Sequence, residues 1–354
     1  MHAVPKSVSV FGLGSIIPPD SLYSKSGVVR ILPLLKIKNL SVALTKNGVR
    51  THLVRELNYS VQAGETLAIV GESGSGKSIS ALALIGLTPK ELIIEADELV
   101  FDGQDLLAIS REEMRQLRGS GIAMVFQEPM TSLNPVRSIG SQITEGIIEN
   151  LGHSKAAARQ LAIELLAEVG IADGERRLKQ YPHHFSGGMR QRVMIAMALS
   201  ANPKLIIADE PTTALDVTIQ AQILDLMARL CRDHGTALIL ITHNLGIVAR
   251  YAARVNVMYG GQIIETGSAA EIYSNPQHPY TEGLLRSVPR LDQDRSVPLT
   301  PIEGTPADAF TLINGCRFHP RCPYAAIQCR NARPQMQSGV ACHFPLTHQE
   351  RVAS

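Results

Sequence analysis

Leu67-Ala68-Ile69-Val70-Gly71-Glu72-Ser73-Gly74-Ser75-Gly76-Lys77-Ser78 joins a short apolar run to a glycine-rich turn, and Ile79-Ser80-Ala81-Leu82-Ala83-Leu84 continues it as an apolar helical run. The turn has the spacing G-x-x-x-x-G-K-S, and it stands where that spacing acquires chemical meaning, after a strand and at the start of a helix. Glycines let backbone N–H groups wrap phosphate oxygens, and the helix start adds a partial positive charge. Lys77 is placed to reach the terminal phosphates and Ser78 to ligate Mg²⁺. Gly71, Glu72, Ser73, Gly74, Ser75, Gly76, Lys77 and Ser78 are therefore the candidate nucleotide-binding loop. A plain Gly/Ser turn before an ordinary helix is the competing reading, and the paired strand and helix disfavour it.

Further along, Leu205-Ile206-Ile207-Ala208 runs into Asp209-Glu210, an apolar strand ending in two carboxylates. Burying such a strand end is unfavourable unless a cation or polar partner meets the acids. Asp209 suits the Mg²⁺ shell, as in other P-loop enzymes, and Glu210 is placed to polarise an attacking water. Short apolar strands alternate with helical stretches from Leu67 onward, LAIV, IAMVF, LIIAD and ALILIT being the strand candidates. That alternation predicts an α/β, P-loop (RecA-like) core with a mainly parallel sheet. In front of it, Leu34 to Leu44 alternates, and Glu56 to Val61 turns through Ala63-Gly64 into Thr66 to Val70, which predicts antiparallel β structure. Ser138 to Arg177 reads as a helical insertion, and no internal repeat is present, so the chain carries one nucleotide unit.

With 45% apolar and 19% charged residues, the composition supports a globular core and excludes wholesale disorder. A net charge of +2, from 34 Lys and Arg against 32 Asp and Glu, gives no general reason to expect nucleic acid as a partner. No uncharged run reaches the roughly 18 residues of a membrane span. The longest, Gly235 to Ala249, contains His243 and Asn244 and reads as a buried strand followed by a turn. Ser7 to Pro19 is apolar, yet Gly12, Gly14, Pro18 and Pro19 interrupt it, so a loose extension is expected there and not a secretion signal.

Phe185-Ser186-Gly187-Gly188-Met189, followed by Arg190-Gln191-Arg192 and the helical run MIAMALSA, resembles the signature motif of ATP-binding cassette ATPases, as FSGGM where the family norm is LSGGQ. Physically it is a second anion-binding helix start, with a hydroxyl and backbone N–H groups aimed at a phosphate. The resemblance implies head-to-tail pairing, in which Ser186, Gly187 and Gly188 of one subunit close over ATP held by Lys77 of the other. It implies that Gln127 senses Mg²⁺ and the γ-phosphate, with Glu128-Pro129 touching a membrane subunit. It implies that Ala214-Leu215-Asp216 crosses the dimer seam and that His243 contacts the γ-phosphate and helps position Glu210. The family stacks adenine on an aromatic residue near the end of the first strand, whereas this chain has Leu40-Ser41-Val42-Ala43-Leu44 there. His52 and Tyr59 are the nearby rings.

FQEPMTSLNP (Phe126 to Pro135), FSGGMRQRVMIAMAL (Phe185 to Leu199), ADEPTTALDVTIQAQIL (Ala208 to Leu224) and NPQHPYT (Asn275 to Thr281) resemble the bacterial dipeptide and oligopeptide importer subgroup. That resemblance implies an ATPase at the cytoplasmic face of the inner membrane. Its implied partners are a second, different ATPase subunit, two transmembrane permease subunits and an extracytoplasmic peptide-binding protein. Nickel, glutathione and antimicrobial-peptide uptake systems fall in the same subgroup. A non-transport ATPase of the superfamily is the rival, but those carry two cassettes or a long coiled-coil insertion.

The expected division is an irregular extension over 1–32, a cassette domain over 33–286 with a helical subdomain at about 128–188, and a small Cys-rich extension over 287–354. Cys316, Cys322, Cys329 and Cys342 cluster in that extension, apart from Cys231, which reads as a buried apolar thiol. Four thiols in a segment too small for its own core more often bind metal than form disulfides in a cytosolic protein. Four thiolates suit an iron–sulfur cluster or tetrahedral Zn²⁺. The spacing lacks the paired C-x₂-C of zinc ribbons, and the resemblance implies a [4Fe–4S] cluster. Zinc and unmetallated thiols are the alternatives.

Overall fold

Strand β3 (Thr66–Val70), which feeds the glycine-rich turn, lies inside a six-stranded sheet of order β11-β10-β3-β9-β8-β7. Its companions are β7 (Ile122–Val125), β8 (Leu205–Asp209), β9 (Ala237–Thr242), β10 (Arg254–Tyr259) and β11 (Gln262–Ser268). All pairs are parallel except β10–β11, which forms a hairpin through Gly260-Gly261, both at positive φ. Two such glycines are what a tight hairpin matching the strand twist demands. The computed structural model describes residues 32–46, 48–128, 132–213, 215–287, 301–307, 310–311 and 313–346. The expected N-terminal extension, apart from Leu32, lies outside the described residues, as do Pro129 and Ala214.

The second sheet is antiparallel and has five strands, β1 (Leu35–Lys46), β2 (Val49–Val61), β4 (Leu92–Glu95), β5 (Glu98–Phe101) and β6 (Gln104–Asp105). The alternating Leu34–Leu44 stretch is β1, while Glu56–Val61 is the end of a strand that begins at Val49. The sequence reading omits β4 to β6 because each is only two to four residues long. Leu35, Leu57, Leu67, Leu84, Phe101 and Ile207 form one apolar cluster that binds the two sheets through the helix Lys77–Leu84. Each such side chain contributes about 1.5–3 kcal/mol on leaving water.

On the other face, Val125, Ile143, Leu166, Val193, Ile206 and Ile223 join the parallel sheet to the helices Ile139–Leu151, Lys155–Glu168, Gly187–Leu199 and Val217–Asp233. Every residue of β8 is buried, as a parallel strand covered on both faces requires. Three of the helices start on serine caps, Ser138, Ser154 and Ser186, each accepting a backbone N–H. A cap of this kind is worth about 1 kcal/mol. Beyond β10, Val257, Tyr259, Tyr280 and Phe318 build a third cluster that ties the Cys-rich segment to the sheet. The outer edge of β11 is taken up by the same segment: Thr266 N–H donates to Gly339 O at 2.8 Å, and Ala341 N–H to Ile264 O at 2.8 Å.

Candidate active site

Register assembles the site. Val70 pairs with Thr242, and Asp209 with Ile241, so the strands β3, β8 and β9 end side by side. Their carboxyl ends deliver the glycine-rich turn, Asp209-Glu210 and His243, and β7 delivers Gln127 from the flank. The crevice outside the carboxyl ends of such a sheet is where α/β proteins bind ligands.

The turn leaves no room for side chains where it folds back on β10. A Cβ on Gly71 would lie 2.1 Å from the Met258 carbonyl oxygen, and Gly76 has a φ of +98° as the helix cap. Lys77 is buried, and its Nζ donates to Gly71 O at 2.7 Å and Glu72 O at 2.9 Å. Burial lowers the lysine pKa, while Glu210, Asp209 and Glu72 pull it back up. Ser78 Oγ donates to Asp209 Oδ1 at 2.9 Å. Desolvation raises the pKa of Asp209, against the Ser78 hydrogen bond and the Lys77 charge. A hydroxyl and a desolvated carboxylate in contact at a phosphate loop form a donor set that fits Mg²⁺.

Glu210 sits at φ 46°, in the left-handed region that non-glycine residues adopt uncommonly. Its Oε2 accepts from Gln127 Nε2 at 3.1 Å and Thr213 Oγ1 at 2.9 Å, and lies 3.2 Å from His243 Nδ1. One carboxylate oxygen is thus oriented by three side chains from three different loops. Thr213 is absent from the sequence reading; it stands inside the Pro211-Thr212-Thr213 run, three residues from Glu210, and nothing in that run marks one threonine over the other. An open crevice of about 870 Å³ connects these groups, lined among others by Leu53, Lys77, Gln127, Glu210, Thr213 and His243. Leu53 is the apolar lining residue nearest the position where an aromatic was sought. Tyr59 is buried in the β2 core and is not available to stack, and His52 is not among the lining residues.

Ser186, Gly187 and Gly188 are not brought to this crevice. Ser186 caps the helix Gly187–Leu199, its Oγ accepting Met189 N–H at 3.4 Å, and it is exposed. Asp216 likewise is exposed and caps Val217–Asp233, accepting Ile219 N–H at 3.0 Å. The two caps are neighbours, since a Cβ on Gly187 would lie 3.5 Å from Leu215 and one on Gly188 3.2 Å from Ile219. Neither is among the residues that line the chain's own crevice.

Glu72 carries contacts the sequence did not reveal. Its N–H donates to the Tyr280 hydroxyl at 2.8 Å, and its carboxylate receives Arg321 at 2.6 and 3.1 Å. Cys316, Cys322, Cys329 and Cys342 line one small, nearly filled cavity with about 10 Å³ of free space, together with His278 and Phe318. Burial pushes the Cys322 and Cys342 thiols up to about 11 and Cys231 up to about 12. Among the described residues no group of three or more His, Cys, Asp or Glu is arranged to hold a metal ion. Neither the iron–sulfur nor the zinc expectation therefore meets a ready ion site among the described residues. No helix among the described residues is long and apolar enough to cross a membrane.

A parallel sheet whose strand ends gather a phosphate loop, a buried aspartate and an oriented glutamate defines a P-loop nucleotide hydrolase. Residues 54–213 match the ABC transporter family, and residues 264–329 match the family described as oligopeptide/dipeptide transporter, C-terminal region. The oligopeptide transport ATP-binding protein OppD of Bacillus subtilis (strain 168) is 52% identical over 299 residues, 84% of this chain and 84% of the relative. The dipeptide transport ATP-binding protein DppD of Escherichia coli (strain K12) is 48% identical over 320 residues, 89% of this chain and 98% of the relative. Among solved structures, cbiO1 from Clostridium perfringens, part of the ABC transporter complex cbiONQ, superposes with a TM-score of 0.60 at 29% identity, over 69% of this chain and 91% of that one. The dimeric post-hydrolysis state of the ATP-binding cassette MJ0796 bound to ADP and Pi gives 0.57 at 26% identity, over 66% and 98%. The chain belongs to the ATP-binding subunits of ABC transporters, and it is an ATP-hydrolysing transport enzyme.

Proposed function

We propose that this chain hydrolyses MgATP in the Lys77–Asp209–Glu210 crevice, paired with a second cassette subunit, to drive uptake of dipeptides or oligopeptides through two permease subunits. The observation that carries the chemistry is the focus of Gln127, Thr213 and His243 on one oxygen of Glu210. Lys77 leaves its loop carbonyls for the β- and γ-phosphates, and the N–H groups of residues 73–78 wrap them. Ser78, Asp209 and Gln127 would hold Mg²⁺, which neutralises charge developing on the phosphate oxygens. Glu210 then takes a proton from the attacking water, with His243 and Gln127 fixing its orientation. The Ser186–Gly188 turn, exposed at Ser186 and Gly187, supplies its N–H groups to the nucleotide held by the neighbour, and the relative solved as a dimer with ADP and Pi supports that pairing.

The cassette is read as 33–286 and the Cys-bearing extension as 287–354, docked at the cytoplasmic face of the inner membrane. A groove of about 280 Å³, lined by Leu87, Met124, Phe126, Met194 and Met197, supports docking of a permease segment there. Peptide cargo is supported by the relatives, which are oligopeptide and dipeptide transport ATP-binding proteins. The test is reconstitution in proteoliposomes with two permease subunits, a second cassette subunit and a peptide-binding protein of the same uptake system. ATP-dependent accumulation of labelled peptide is expected; accumulation of nickel or glutathione and not of peptide would replace this reading with the alternative.

For the four cysteines we favour a [4Fe–4S] cluster over zinc. What supports this is the shared cavity of Cys316, Cys322, Cys329 and Cys342. A cluster places each thiolate on a different iron, so it does not require the single-point geometry that zinc does. The cluster would bring a charged, redox-capable group into the extension. Anaerobic purification is expected to give a brown protein with iron and sulfide in equal amounts; a colourless protein rich in zinc would overturn the preference.

A further inference from the structure

Glu72 is gripped at every polar group it has. Its N–H donates to the Tyr280 hydroxyl, its carbonyl accepts Lys77 Nζ at 2.9 Å, and its carboxylate is forked by Arg321. Neither outside partner belongs to the phosphate loop: Tyr280 is fully buried in the helix Pro279–Arg286, and the Arg321 side chain is 4% exposed. The guanidinium also donates to Glu303 O at 2.9 Å and Ile302 O at 3.1 Å and lies over the Tyr259 ring. It is therefore held firmly in place, and Glu72 with it.

Each of these partners is joined through the chain to the thiol cavity. Arg321 precedes Cys322, and Tyr280 lies two residues after His278; Cys322 and His278 both line that cavity. His278 Nδ1 accepts Tyr280 N–H at 3.0 Å, so the ring's hold on the helix start is direct. Its Nε2 is buried with no hydrogen-bond partner among the described residues, and burial lowers the imidazole pKa to about 3, so the ring is neutral and Nε2 carries an unpaired N–H. A buried polar atom with no partner needs an explanation, and here the residue that carries it lines the thiol cavity. Phe318 locks the pieces together, with its ring 5.4 Å from Tyr280, 5.3 Å from Tyr259 and 5.7 Å from His278.

We propose that Tyr280 and Arg321 are positioning residues of the phosphate loop, and that through them the state of the thiol cavity sets how well the loop binds nucleotide. The inference rests on the nucleotide reading of the crevice, and it is independent of what fills the cavity. A loop that is binding-competent for only a fraction of the time has its apparent Kd raised by the inverse of that fraction. Linkage runs both ways, so nucleotide must also steady the cavity.

The experiment uses the full chain, purified anaerobically, with MgATP titrated by calorimetry and folding checked by thermal melt. The Tyr280→Phe/Arg321→Gln pair is expected to raise the Kd about tenfold, as a competent fraction reduced to about one tenth requires. Cys329→Ser, which alters the cavity away from Glu72, is expected to raise the Kd several-fold in the native background and to add nothing in the clamp-less one. Equal effects in both backgrounds, or none in the native one, would overturn the proposal. Should Cys329→Ser not fold, amide exchange on the unsubstituted chain decides: MgATP is expected to slow exchange across 316–329, and to lose that effect in the Tyr280→Phe/Arg321→Gln protein. Unaltered exchange overturns the coupling. An unsubstituted chain that does not bind MgATP at all counts instead against the nucleotide reading.

Discussion

Glu210→Gln is expected to lower ATP turnover of the assembled complex by about 10²–10⁴-fold, the range that a positioned general base contributes, while MgATP affinity is retained. The amide keeps the shape of the carboxylate and can still accept from Gln127 Nε2 and Thr213 Oγ1, which now stand 3.1 and 2.9 Å from Oε2. It cannot take the proton of the attacking water. The left-handed backbone at this position is equally unfavourable for Glu and Gln, so the substitution adds no new strain. Binding rests on other groups: Lys77, the turn N–H groups and the Ser78–Asp209 pair are untouched. The loss is therefore in kcat and not in KM, the pattern of an interaction made only in the transition state. Measured turnover that survives the substitution would remove Glu210 from its role and leave its three oriented partners without a purpose.

What the sequence made legible was whatever is local. The phosphate loop is one contiguous run between a strand and a helix, and Asp209-Glu210 ends an uninterrupted apolar strand, so both are readable without a fold. Gln127 and His243 carry no local signal, and only the order of motifs along the chain placed them; β-strand register then brings His243 within 3.2 Å of Glu210. The Glu72 clamp was not legible because its partners lie 208 and 249 residues away. The hairpin β10–β11 has its local cue in Gly260-Gly261, but a glycine pair alone does not say which flanking runs pair across it. The search for a stacking ring failed for a physical reason: Tyr59 alternates inward along β2 and is buried, which periodicity alone would have indicated.

The second large effect concerns Ser186. Its Oγ caps a helix and its surface is open, so Ser186→Arg forfeits a cap worth about 1 kcal/mol and leaves the fold standing. Because the Ser186–Gly188 turn does not line the chain's own crevice, MgATP binding by the isolated chain is expected to be unchanged. In the assembled pair the outcome differs. An arginine side chain at the helix start obstructs the approach of this turn to the neighbour's nucleotide, and removal of a preorganised donor of this kind lowers the rate by about 10²–10³. If the pair is two copies of this chain, turnover falls by that factor. If the neighbour is a different cassette, the loss falls on the nucleotide held by the neighbour's lysine, which trapping of labelled nucleotide in each subunit resolves. A weakened MgATP affinity in the isolated Ser186→Arg chain would mean that the turn serves its own crevice, and the head-to-tail arrangement would have to be abandoned.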